Sequence, residues 1–306
     1  MRILVTGASG LLGLNLALEA SRQHTVYGTV KDHSLHTDAF NVLQADLTVP
    51  GAIERVLEQS QPDWVIHCAA LAVLEACEAD PVLAHQLNSE VPGKLAEHVA
   101  RGGARLVHIS TDAVFDGQRG GYSEADQPNP LSVYARSKLE GERAVALANP
   151  QAIVARVNLF GWSLGGKRSL AEWFYNNLSA GRQVLGFTDV FFCPLLANDL
   201  AWLLFKMLEN GLSGLYHVVA SDCTSKYAFG LALARRFGFD ENLITPASVE
   251  QGGLQAARSP HLTLKADKLI AALGEKPPSI DAGLARFYSL FVDDYPARLH
   301  ALAAGK

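Results

Sequence analysis

Cysteine is scarce in this 306-residue chain, and the four present, Cys68, Cys77, Cys193 and Cys223, form no C-x-x-C pair. That leaves no redox or metal dithiol motif and predicts reduced, mostly buried thiols. Basic clusters are absent too: the net charge is -5, and the nearest approach, Arg235 and Arg236, reads as a solvated helix end. Nucleic acid is therefore excluded as a partner, since phosphate binding needs concentrated Lys and Arg. No apolar run reaches the roughly 20 residues of a membrane span, and strand character begins at residue 2 without a charged-then-apolar leader, so a cytoplasmic protein is expected. His67, His85, His98 and His108 lack metal-ligand spacing, and Asp293 and Asp294 read as an exposed acidic pair, so no metal is expected. Internal repeats and low-complexity segments are absent. What remains, at 49% hydrophobic and 19% charged residues, has the composition of a soluble globular protein.

The first thirteen residues, MRILVTGASGLLG, carry the strongest signal. Ile3, Leu4 and Val5 read as a strand buried on both faces, running into a turn with Gly7, Gly10 and Gly13 and then a helix through Leu16, Ala17 and Leu18. Gly7 allows the tight turn, Gly10 removes a side chain that would hold a pyrophosphate off the backbone, and Gly13 lets helix and strand pack closely. The helix N-terminus adds unpaired N–H groups and partial positive charge. Ser9, Leu11 and Leu12 complete this expected dinucleotide site. The spacing is G-x-x-G-x-x-G, and its place between an apolar strand and an amphipathic helix is what gives it weight.

Strand and helix patterns then alternate. Strands are expected at 2–6, 25–30, 41–45, 63–68, 105–110 and 152–157, and helices near 11–22, 50–59, 81–101 and 132–148. This predicts an α/β fold, a Rossmann-type doubly wound parallel sheet with ligands beyond the C-terminal strand ends. After about residue 160 the pattern loosens, with helices near 169–180 and 197–210 and a strand at 215–219. The expected division is a dinucleotide-binding domain, 1–160 with 186–220 returning to it. A smaller, discontinuous C-terminal substrate lobe comprises 161–185 and 221–306.

At the end of the second strand, where a carboxylate would hold the NAD ribose, stand Val30 and Lys31. No acid would repel a 2′-phosphate and Lys31 would attract one, so NADP is the expected cofactor, with NAD the alternative. Asp46 and Leu47 lie where an acid and its neighbour would meet the adenine, and Ala69 and Ala70 let the backbone approach the dinucleotide. Ser110 and Thr111 end the fifth strand. Tyr134 and Lys138 follow on one helix face, about 6 Å apart along its axis. A tyrosine titrating near 10 can donate a proton but leaves a phenolate that a nearby ammonium stabilises. Tyr134 would then protonate a carbonyl oxygen held by Thr111 while hydride arrives from a nicotinamide. Tyr-x-x-x-Lys alone is a weak motif; its place after a Ser-Thr strand end, in a chain opening on a dinucleotide turn, makes it informative.

The segments TGASGLLG (6–13), STDAVFDG (110–117) and YSEADQPNPLSVYARSKLEGE (122–142) resemble the extended short-chain dehydrogenase/reductase family. The similarity is greatest to its dTDP-4-dehydrorhamnose reductase branch, with patterns STDxVFDG and YxExDxxxPxxxYxxxKxxGE, and ARSPHLTLKADKL (257–269) resembles that branch's C-terminal segment. The resemblance implies Thr111, Tyr134 and Lys138 as catalytic. It implies a cofactor site shaped by Gly7, Gly10, Gly13, Asp46, Leu47, Ala69, Ala70, Leu71, Asn88, Ser110 and Val157, and a substrate site including Thr111, Val114, Asn158, Trp173 and Arg258. Trp162 and Trp202 read as packing. LAVLEACE (71–78) is more apolar, at Leu71 and Leu74, than the branch's usual run, and GFTDVFFCPLLANDLA (186–201) lacks its G-x-P-T segment. The implied activity is NAD(P)H-dependent reduction of a keto group on a nucleotide-linked sugar, with dTDP-4-dehydrorhamnose leading. A sugar-nucleotide epimerase with bound NAD, and a nucleotide-binding regulatory subunit resembling the methionine adenosyltransferase beta subunit, are the alternatives. A symmetric homodimer is the default assembly.

Overall fold

The computed structural model describes residues 1–252 and 260–304. In chain order its principal elements are β1 Arg2–Thr6, α1 Leu11–Ala20, β2 Thr25–Val30, β3 Asn41–Gln44, α2 Ala52–Ser60, β4 Trp64–His67, α3 Leu74–Ala79, α4 Pro81–His85, α5 Val91–Gly102, β5 Arg105–Thr111, α6 Val133–Ala148, β6 Ile153–Val157 and β7 Leu159–Phe160. They continue as α7 Leu170–Leu178, β8 Val184–Phe187, β9 Phe191–Phe192, β10 Leu195–Leu196, α8 Ala197–Glu209, β11 Gly214–Val218, β12 Thr224–Ser225, α9 Lys226–Phe237, β13 Ile244–Ala247, β14 His261–Leu262, α10 Asp267–Leu273, α11 Ile280–Val292 and α12 Tyr295–Ala304.

Seven parallel strands form one sheet in the order β11-β6-β5-β4-β1-β2-β3. The strand order reverses between β1 and β4, so a crevice opens there beyond the strand ends. Alternation along the strands sorts side chains onto two faces: Ile3, Val5, Ile66, Val107, Ile153 and Ala155 join one core, and Leu4, Val65, Leu106 and Val154 the other. On the first face α1 and α8 pack together, with Leu14, Leu16, Leu200, Leu203 and Leu204 wholly buried. Burying each such side chain contributes about 1.5–3 kcal/mol. Ile53, Val56, Leu95 and Val99 of α2 and α5 cover the second face. The sheet thus has helices on both sides, as the Rossmann-type expectation required. Among the described residues no helix is long and apolar enough to cross a membrane.

Two local features depart from the sequence expectations. The helix expected at 81–101 is interrupted by a π-helical turn, Gln86–Glu90, between α4 and α5. Its cause is Pro92, which has no N–H for the carbonyl of Asn88 four residues earlier, so the ladder widens there. The expectation of four reduced thiols is also corrected: Cys193 and Cys223 are disulfide-bonded, and only Cys68 and Cys77 are free. Antiparallel pairing of β9 with β12 sets Phe192 opposite Thr224 and so brings the two flanking cysteines face to face. That long-range register is invisible in cysteine spacing.

Candidate active site

The turn after β1 is shaped by backbone proximity. Gly7 sits at φ +69°, and a Cβ there would come within 2.8 Å of the Ala69 backbone. A Cβ on Gly13 would lie 2.3 Å from the Gly7 carbonyl oxygen. Side chains are thereby kept out of a cradle whose amides face the N-terminus of α1, the shape a dinucleotide's diphosphate needs. A cavity of about 610 Å³ runs over it, lined by Gly10 to Gly13, Cys68, Ala70, Ala72, Val73, Ser110, Lys138, Val157 and further residues of the 109–112, 134, 157–159 and 167–168 segments. Its size falls within the ~300–1,000 Å³ of small-molecule and cofactor sites.

One wall of this cavity, after β4, is held by Asn88 from the π turn. Its side chain accepts from Leu71 N at 2.9 Å and donates to Leu71 O and Ser137 Oγ, each at 3.0 Å. Gly141 of α6 presses on the same turn, where a Cβ would fall 2.0 Å from the Asn88 carbonyl oxygen. Asn88 therefore acts on the site indirectly, tying the wall to α6.

Tyr134 and Lys138 occupy the first turns of α6, which starts cleanly because the Ser132 side chain caps Ala135 N. The Thr111 hydroxyl lies beside the Tyr134 phenol where the cavity lining joins them. Burial pushes that phenol up to about 12, reinforced by Asp112 and Cys77 and opposed by Thr111, so it is protonated throughout the physiological range. Lys138 Nζ donates to the Ile109 carbonyl at 2.6 Å. Burial lowers its ammonium to about 8, with Glu142 and Cys68 pulling upward. Behind it, Glu142 accepts from Ser110 Oγ at 2.5 Å and from Arg156 Nε and Nη2 at 2.9 and 2.7 Å.

A second cavity, of about 270 Å³, adjoins the first. The two share Thr111, Asp112, Tyr134 and Asn158, and the smaller extends to Leu74, Leu131, Ser132, Phe191, Phe192 and Lys226 among others. Asp112 is buried at this junction, accepting from Asn158 Nδ2 at 2.5 Å and Thr111 Oγ1 at 3.1 Å. Burial outweighs these bonds and raises its carboxyl to about 6.

The tertiary structure brings Gly10, Leu11, Leu12, Gly13, Ala70, Ser110, Thr111, Tyr134, Lys138, Val157 and Asn158 to this double cavity. Gly7, Ala69, Leu71 and Asn88 stand behind its walls, and Ser9 lies in the turn without lining it. Lys31, Asp46 and Leu47 lie at or beyond the ends of β2 and β3, outside both cavities. There Lys31 is ion-paired with Asp46 at 3.0 Å, which raises the lysine's pKa. Burial opposes ionisation of Asp46, but hydrogen bonds from Thr48 and the Lys31 pair leave its carboxyl below the ordinary value.

Two expected substrate residues are not brought in. Val114 is wholly buried with Phe115, its side chain packed away from the cavities. Trp173 lies on α7, 43% exposed and outside both cavities. Arg258 lies outside the described residues. Of the apolar wall expected from Leu71 and Leu74, Leu74 lines the smaller cavity and Leu71 does not. Asp112, Lys167, Arg168 and Lys226 were not singled out from the sequence. Asp112 adjoins Thr111 in STDAVFDG, and Lys167-Arg168 is a cationic pair ending a glycine-rich loop, so both left a readable trace.

Fold and site together define an NAD(P)-dependent oxidoreductase of the extended short-chain dehydrogenase/reductase class. Residues 1–292 match the model of the RmlD substrate binding domain, and the chain belongs to that family. It is 34% identical over 270 residues to a dTDP-4-dehydrorhamnose reductase of Mycobacterium tuberculosis, covering 86% of this chain and 84% of that protein. It is 31% identical over 287 residues to methionine adenosyltransferase 2 subunit beta of Danio rerio, covering 88% and 84%. Among solved structures it is similar to dTDP-4-dehydrorhamnose reductase from Bacillus anthracis in complex with NADP. That likeness has a TM-score of 0.81 and 26% identity, and it covers 95% of this chain and 99% of the other.

Proposed function

We propose that this protein reduces a keto group on a nucleotide-linked sugar with NADPH, dTDP-4-dehydrorhamnose being the substrate. The observation that carries the reading is the junction of two cavities at Thr111, Asp112, Tyr134 and Asn158. One cavity runs to the glycine cradle and the other into the lobe, so a dinucleotide and a ketone would meet beside a protonated phenol. The cofactor, when bound, supplies the hydride.

The chain's own residues do the rest. Thr111 orients the carbonyl oxygen, and Tyr134 delivers the proton to it as the alkoxide forms. A phenol at about 12 gives up its proton only where the product anion is more basic, which an alkoxide is. Lys138, a cation below about pH 8, stabilises the phenolate left behind and hydrogen-bonds the nicotinamide ribose. Asn158 and Asp112 meet the sugar. The apolar surface at Leu74, Phe191 and Phe192 favours a deoxy sugar with its methyl group over a fully hydroxylated one.

NADPH and NADH oxidation with dTDP-4-dehydrorhamnose, measured beside Tyr134→Phe, tests the proposal. Wild-type turnover that falls about 10²–10⁴-fold in the variant, with NADPH binding retained, supports it. Tight NADPH binding without turnover refutes the substrate assignment. The methionine adenosyltransferase beta subunit similarity makes a regulatory role the reading to take up in that case.

A further inference from the structure

The loop between β7 and α7 brings two cations to the larger cavity. Lys167 and Arg168 line it together with Gly10 to Gly13. The loop is built to a fixed shape without using either side chain. Glu172, wholly buried, accepts from Ser163 N at 2.6 Å, Ser163 Oγ at 2.9 Å, Arg168 N at 2.8 Å and Ser169 N at 3.1 Å. Ser169 Oγ donates to the Gly161 carbonyl at 2.8 Å, closing the loop on itself. Asn15 of α1 donates to the Trp162 carbonyl at 2.9 Å, fastening the loop to the helix whose N-terminus opens the cradle.

The loop's own carboxylate is thus committed to backbone amides and the Ser163 hydroxyl. Among the described residues, no acid pairs with Lys167 or Arg168. Both side chains are exposed to the solvent of the cavity mouth. Two uncompensated cations, on a rigid loop beside a cradle of amides, match a ligand with two adjacent negative charges.

From this geometry we infer that Lys167 and Arg168 form a diphosphate clamp. The pair binds the diphosphate of the dinucleotide from the β7–α7 loop, complementing the amides of the glycine turn. This inference rests on the dinucleotide reading above, and a diphosphate could also come from the nucleotide sugar. The test must tell those apart.

Binding of NADPH, NMNH, dTDP and inorganic pyrophosphate to the wild type and to Lys167→Gln/Arg168→Gln, at low and high salt, does so. NMNH keeps only one of the two phosphates, so its affinity should fall less than that of NADPH. NADPH affinity should fall about tenfold for each cation removed, with a shallower salt dependence, the size of one charge-assisted contact in a hydrated site. Arg168→Lys should recover part of the loss, which a merely structural role would not produce. Loss of dTDP affinity with NADPH unchanged assigns the clamp to the sugar nucleotide instead and overturns the dinucleotide assignment. Unchanged NADPH, dTDP and pyrophosphate binding overturns the clamp altogether. Should the wild type bind no NADPH, the function reading fails, and loss of pyrophosphate binding in the variant still supports the clamp.

Discussion

Replacing Glu142 with Gln tests the polar network behind the site. Arg156 and Glu142 are 3% and 7% exposed, and the carboxylate accepts two hydrogen bonds from the guanidinium and one from Ser110. Glutamine keeps the volume but removes the charge, and its amide NH₂ faces a donor. Breaking one partner of a buried pair leaves the other charge uncompensated, at about 3–5 kcal/mol. For a chain of this length that is a fall in Tm of roughly 5–8 °C.

A second effect is separable from the first. Glu142 is the charge that does most to raise Lys138, which burial has brought to about 8. Without that carboxylate, Lys138 loses its proton at lower pH, and the alkaline limb of NADPH oxidation moves down. The linkage follows the same sign: native Lys138 titrates below its unfolded value of 10.5, so the unfolded chain holds more protons between about pH 8 and 10.5. Its contribution to stability therefore rises with pH across that window. Thermal melts and pH profiles of Glu142→Gln, with Glu142→Leu/Arg156→Met beside it, separate the two effects. The double variant should regain stability, since neither member of the Arg156–Glu142 pair is left buried without its partner, while its alkaline limb stays low. An unmoved limb together with a Tm loss under about 2 °C would refute the reasoning.

Other expectations follow from single contacts. Asp112, raised to about 6 in the fold, binds its proton more tightly there than in the unfolded chain. Wild-type stability should therefore fall as pH rises from about 4 to 6, and urea midpoints of Asp112→Asn should lack that decline. Gly13→Ala sets a Cβ against the Gly7 carbonyl. It should lose about 1–3 kcal/mol and bind NADPH weakly, and unchanged cofactor titration would count against the cradle. The Cys193–Cys223 bond spans 30 residues of chain, a loop whose release is worth about 3–4 kcal/mol on the chain-entropy model. Cys223→Ser should melt lower than the oxidised wild type and match it under reductant, whereas a wild-type melt indifferent to reductant would contradict the cross-link.

The sheet and the opening turn were legible because their signals are local. Ile3 to Val5, Trp64 to Ile66 and Leu106 to Val107 are apolar stretches that fit a doubly covered strand, and Gly7 and Gly13 mark backbone positions that no side chain fits. The four-residue spacing of Tyr134 and Lys138 likewise puts both on one helix face before any tertiary contact is known. Departures arose where a residue pattern carries no record of backbone hydrogen bonding or of the way a side chain turns. The π turn depends on Pro92 meeting Asn88 within a helix that α6 then covers, and a composition pattern registers only the helix. Val114 follows four motif residues, Ser110 to Ala113, that line the cavities, yet the short helix Asp112–Val114 turns it into the core.

By itself, then, the sequence determined the strand and helix periods, the glycine cradle and the helix that presents Tyr134 and Lys138 on one face, because each is set by neighbours within a few residues. Tertiary structure alone decided which remote groups share a boundary. It joined Cys193 to Cys223 through the β9–β12 register, set Glu142 between Ser110 and Arg156, and brought Lys167 and Arg168 to the cavity that begins at Gly10. Burial and charge pairing act through space, so the shifts of Asp112, Tyr134 and Lys138 follow from packing that no linear pattern contains.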